Sequence, residues 1–140
     1  MQSISNITAR YAETDKMGVI HHSVYPIWFE VGRSDYLNQI GTKCSVMESL
    51  GVMTPLVTLD CKYISPTYYE DRVIVLTKVT KLSCAKITFE YIVKNRENNK
   101  ILVTGSTTHG FVDTKTFKPI NVKKVLPMLY KKILDSVENK

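Results

Sequence analysis

The chain reads as an α+β domain: an antiparallel sheet of about five strands whose curled face covers one long helix, with a second helix at the C-terminus. Three observations predict this. Ile87, Phe89, Tyr91 and Val93 alternate with Lys86, Thr88, Glu90 and Lys94, the period of a half-buried strand. Tyr25, Phe29, Gly32, Tyr36 and Ile40 recur at three- and four-residue steps, the spacing of one helix face. The segments follow in the order strand, long helix, four strands, terminal helix, and such a helix must pack on the sheet's face.

The first strand lies in "SISNITARYAE", through Ile4, Ile7 and Tyr11. A helix follows from Ser23 to about Ile40. Ser23 can cap it, and Pro26 falls in its first turn, where a missing N–H is no loss. Gly32 weakens that helix by roughly 1 kcal/mol relative to Ala. Its presence points to a helix lying so close to the sheet that no side chain fits. Cys44 to Leu50 is a short helical or irregular piece. Leu56 to Ile64 is rich in β-formers and ends at Pro66, and Arg72 to Leu82 carries Val73, Val75 and Val79. Lys86 to Lys94 is joined by the turn "NRENNK" to a strand from Ile101 to Asp113. In "LPMLYKKILDSVENK", Leu126, Leu129, Tyr130, Ile133, Leu134 and Val137 form an amphipathic stripe. So small a sheet should leave an edge free, and pairing with a second copy removes that liability.

The 140 residues predict one domain over 1–140, with 44% hydrophobic and 23% charged residues as in soluble globular proteins. No apolar run approaches the ~20 residues that span a bilayer, and the first residues lack the apolar core of a signal peptide, so a cytoplasmic location is expected. Cys44, Cys61 and Cys84 are odd in number and widely spaced, as reduced thiols are. The net charge of +6 suits an anionic partner. The lysines are dispersed, and no recognition-helix or arginine-rich pattern supports nucleic acid. His21, His22 and His109 have no metal-ligand spacing, and His109 reads as a sheet-face residue.

The segment "DKMGVIHHSVYPIWFE" concentrates the chemistry. An acidic residue opens a glycine-bearing loop, two histidines close it, and the long helix starts at once. A helix start presents bare N–H groups and favours negative charge in front of it.

"ARYAETDKMGVIHHSVYPIWFEVGRSDYL" resembles the opening motif of the hot-dog-fold acyl-CoA thioesterases of the 4-hydroxybenzoyl-CoA thioesterase type. Asp15, Gly18, His22 and Tyr25 fit the family pattern at each offset, and "YISPTYYEDRVIV" and "GSTTHGFVDTKTFKP" extend the resemblance over nearly the whole chain. It implies five antiparallel strands around the central helix, a homodimer that pairs into a homotetramer, and an active site where two subunits meet. It also implies acyl-CoA as substrate, with an acyl carrier protein thioester left open. No metal or redox cofactor is called for, because coenzyme A is part of the substrate.

Thioester hydrolysis needs an attacking or water-activating group and a holder for the developing oxyanion. Asp15 suits the first as nucleophile or general base. Backbone N–H groups around His22 and Ser23 suit the second, with the His22 ring contributing or not. His21 reads as lining or packing. Gly18 supplies a conformation a Cβ would obstruct, and Tyr25 packs under the loop. Phe29, Val57 and Leu59 are expected to line the acyl pocket. Lys81, Ser83 and Lys86 are placed where the family grips the coenzyme A phosphates, although this chain lacks the arginines of that segment. Two other readings stay open: a dehydratase or hydratase on the same fold, and a non-catalytic acyl-thioester binder.

Overall fold

The computed structural model describes residues 1–138, and the last two residues of the expected terminal helical stretch, 139–140, lie outside the described residues. The strands are β1 Ser3–Thr8, β2 Val52–Met53, β3 Leu56–Tyr63, β4 Arg72–Leu82, β5 Lys86–Asn95, β6 Ile101–Gly110 and β7 Val112–Asp113. The helices are α1 Tyr25–Gln39, α2 Cys44–Ser49, α3 Val122–Val125 and α4 Pro127–Glu138. Five strands form one antiparallel sheet in the order β1-β4-β5-β6-β3, and β2 and β7 pair separately.

The alternation read in β5 holds: Ile87, Phe89, Tyr91 and Val93 are all buried, facing α1. Trp28, Phe29 and Tyr36 of α1 are buried against this face, and Phe29 stacks flat on Tyr91 with ring centroids 4.4 Å apart. Gly32 explains how the helix comes so near. A Cβ there would collide with Thr77 Oγ1 and stand 3.0 Å from a Val75 methyl. α4 adds Leu129 and Ile133 to the core, and Tyr36 Oη lies 2.7 Å from Ser136 Oγ.

Four expectations need correction. In β1 the inward residues are Ser3, Ser5 and the partly buried Ile7, while Ile4 points out and is 61% exposed; Tyr11 lies beyond the strand in a 3-10 turn, Tyr11–Glu13. The cause is again close approach, since Ser5 Oγ donates to Asp35 of α1 at 2.6 Å where a larger side chain would hold the helix off. Ser23 is not the cap. It sits inside a 3-10 turn, His22–Val24, and the preceding His21 accepts the Ser23 N–H on its ring. The strand expected from Ile101 to Asp113 breaks after Gly110: Phe111 N donates to Ala85 O, and Val112 pairs with Met53. β2 was not foreseen because two residues carry no period.

β3 is the exposed edge. Leu56, Val57, Leu59 and Tyr63 are each more than two-fifths open to solvent, and α1 lies over β1, β4 and β5 instead. No described helix is long and apolar enough to cross a membrane.

Candidate active site

The loop before α1 is built around two carboxylates. Glu13 is almost fully buried: Oε1 accepts from Arg10 N at 2.8 Å and Oε2 from Trp28 Nε1 at 3.0 Å, which ties the loop's entrance to the helix it precedes. His21 N then donates to Glu13 O, closing the loop at its other end.

Between these anchors Asp15 begins a tight turn. Gly18 N donates to Asp15 O at 3.1 Å, and Asp15 N to Val19 O at 2.8 Å. Asp15 Oδ1 accepts from Met17 N at 2.8 Å and Val19 N at 3.4 Å. Oδ2 takes no donor among the described residues. Gly18 has φ +83°, which an L side chain resists, although no atom stands within 4 Å of its would-be Cβ. The obstruction expected at Gly18 is therefore conformational and not steric. The turn is held to the rest of the fold by Ile20 N donating to Thr67 O, and Tyr25 Oη, buried beneath it, donates to Thr67 Oγ1 at 3.0 Å.

At the helix start the amides divide. Ser23 N donates to the His21 ring and Val24 N to His21 O, whereas His22 N has no protein acceptor among the described residues. The oxyanion expectation thus narrows from His22 and Ser23 to His22. Tyr63, from the end of β3, donates its hydroxyl to His22 O at 2.8 Å and packs edge-on against Tyr25. Burial and the neighbouring Cys61 push that hydroxyl up to about 12, so it stays a donor. The His21 and His22 rings lie against each other, centroids 4.1 Å apart and tilted by 32°.

Asp15, His22, Tyr25 and Tyr63 line one open cleft of about 320 Å³. Glu13, Tyr63 and Thr67 were not picked out from sequence: their roles rest on partners that reach from 3 to 47 residues away, which no local spacing signals.

The other expected residues lie elsewhere. Phe29 is fully buried in the core and faces no cleft, because its ring is committed to Tyr91. Val57 and Leu59 stand on the open β3 edge, 52% and 41% exposed, outside the Asp15 cleft within one chain. Ser83 and Lys86, with Lys81, line a separate groove of about 340 Å³ at the β4–β5 turn. The Ser83 hydroxyl is engaged there, accepting from Ala85 N and Lys86 N. His109 is buried on the inner sheet face, as expected, within hydrogen-bond distance of Thr54 O and Thr107 Oγ1.

The family model described as the thioesterase-like superfamily matches residues 9–133. A solved structure titled as a DHNA-CoA thioesterase from Staphylococcus aureus superposes with TM-score 0.90 at 38% identity, covering 99% of this chain and 95% of that one. YneP of Bacillus subtilis, named by inference as an acyl-CoA thioesterase, is 34% identical over 89% of this chain and 90% of its own. The acyl-CoA thioesterase YbgC of Haemophilus influenzae is 28% identical over 81% and 83%.

Proposed function

The chain belongs to the thioesterase-like superfamily, and from that premise we propose how it hydrolyses acyl-CoA thioesters to free acid and coenzyme A. Asp15 supplies the carboxylate. Its Oδ1 is held by the turn amides, so the geometry leaves Oδ2 for the thioester carbonyl or for the water that attacks it. As nucleophile it forms a mixed anhydride and expels the thiolate of coenzyme A, and water then cleaves the anhydride. As general base it takes a proton from water, which adds to the carbonyl directly. In both routes the carbonyl oxygen gains negative charge, and the unengaged His22 N–H at the start of α1 is placed to donate a hydrogen bond to it. A donor of that kind is worth a factor of ~10² to 10³ in rate.

The observation that carries this reading is the division of labour at Asp15, one oxygen bound and one open, in the same cleft as the helix start. Asp15→Asn is the test, because the amide oxygen preserves the turn while the charge is lost. Free-thiol release across a panel of acyl-CoA esters should fall at least a hundredfold in the folded variant; unchanged turnover overturns the mechanism.

The site is completed by a second copy paired through β3, with such dimers associating further into tetramers. The cationic groove of Lys81 and Lys86 is where the coenzyme A phosphates would bind. No cofactor beyond the substrate's own coenzyme A takes part, a carrier-protein thioester is the second substrate to assay, and the enzyme works in the cytoplasm.

A further inference from the structure

His22 stands between two fixed points, each set by a different part of the chain. On its N-terminal side His21 is tied twice: His21 N donates to Glu13 O at 2.9 Å, and His21 O accepts from Val24 N at 3.0 Å. The second bond closes a single 3-10 turn, His22–Val24, whose hydrogen-bond geometry is poorer than that of an α-helix. His21 O and the His22 N–H share one peptide plane, so the aim of that N–H depends on the turn staying closed.

On its C-terminal side His22 meets a gap in the helical ladder. An α-helix would satisfy His22 O with the N–H of the residue four positions on. That residue is Pro26, which has no N–H to give. The donor comes from outside the helix instead: Tyr63 Oη donates to His22 O at 2.8 Å. This hydroxyl is itself held in place. Tyr63 ends β3, where it pairs with Val103 of β6, and its ring packs edge-on against Tyr25 with centroids 5.5 Å apart. Tyr25 in turn is buried and donates to Thr67.

We propose that Tyr63 is a positioning residue for thioester hydrolysis: by holding His22 O where Pro26 cannot, it keeps the turn closed and the His22 N–H aimed into the Asp15 cleft. The inference rests on the thioesterase reading above and adds a residue that acts through His22. Tyr63 also lines the cleft, but its proton is committed to His22 O, and the hydroxyl stays protonated up to about 12. It therefore does not serve as the acid of the reaction.

The test is Tyr63→Phe, which keeps the ring against Tyr25 and removes only the donor. In the folded variant, kcat measured by free-thiol release should fall roughly ten- to a hundredfold, between the loss of one hydrogen bond and the misplacement of a reacting group. KM should stay within about twofold, because what is weakened is an interaction made in the transition state. The pH–rate profile should drop as a whole without losing a limb. Pro26→Ala then supplies a backbone N–H within α-helical reach of His22 O. Alone it should leave kcat near the native value; combined with Tyr63→Phe it should recover most of the lost kcat. Neither a cleft-lining nor a purely structural role for the hydroxyl gives that recovery. Native kcat in Tyr63→Phe, a loss carried by KM, a lost basic limb, or a double variant as slow as Tyr63→Phe overturns the proposal alone. Absence of thiol from every ester with the native protein overturns the thioesterase reading, and this one with it.

Discussion

At the scale of single residues, the loop before α1 gives its two acidic side chains opposite tasks. Glu13 is buried and spends both oxygens on structure; Asp15 is half-open and spends one. His109 is a third titratable group under constraint. Nδ1–H donates to Thr54 O, so Nε2 accepts from Thr107 Oγ1, which in turn accepts from Tyr91 Oη, and the ring is neutral. Burial first, and the Arg33 charge second, lower its pKa to about 4 from 6.5. Between these values the unfolded chain binds the proton and the folded chain does not, so acid favours unfolding. The stabilisation at stake is about 3 kcal/mol. It is fully present above pH 6.5 and lost as pH falls toward 4. Urea unfolding at pH 7 and pH 4 should therefore show the native protein losing about 3 kcal/mol more than His109→Gln does; equal losses would mean the ring protonates freely in the fold.

At the scale of elements, Gly32 sets how α1 meets the sheet. Alanine would favour the isolated helix by roughly 1 kcal/mol. In the fold its Cβ has nowhere to go, since Thr77 and Val75 occupy the space. Overpacking of this kind costs about 1–3 kcal/mol, so Gly32→Ala should lower the midpoint of thermal unfolding despite its better propensity; a higher midpoint would show that helix and sheet can separate cheaply. The same closeness explains what the sequence hid. Long periodic elements such as α1, β4 and β5 were legible because every turn or pleat repeats the signal. β1 was legible as a strand, with Ile7 inward, but not at its start, where Ser3 and Ser5 face in and Ile4 faces out because Ser5 meets Asp35 of the helix directly. The Asp15–Gly18–His22–Tyr25 spacing was readable because one continuous segment carries it. Phe29 was misplaced because a helix face tells which side is buried, not whether core or cleft receives it. Tyr63, arriving from β3 to hold His22 O, was invisible for want of any local pattern.

At the scale of the whole molecule, the reading proposed for the Asp15 cleft turns on whether a second copy takes part. The Asp15 cleft takes Tyr63, Ile64 and Ser65 from the end of β3, an edge strand whose Leu56, Val57 and Leu59 are uncovered in the single chain. The proposed dimer covers β3 and brings a second copy beside the Asp15 cleft. Replacing Val57 and Leu59 with lysine tests that pairing without touching the residues that line the Asp15 cleft in one chain. Each side chain, about half-exposed in the single chain, contributes about 1 kcal/mol when covered. A two-fold interface counts both twice, so the double variant should weaken association by ~4 kcal/mol, about a thousandfold in Kd. Sedimentation at micromolar concentration should then find monomers that are folded by circular dichroism, with thiol release reduced in proportion to the dimer lost. A folded monomer that turns over acyl-CoA at the native rate would show that one Asp15 cleft suffices, and the second copy would have no part in the chemistry.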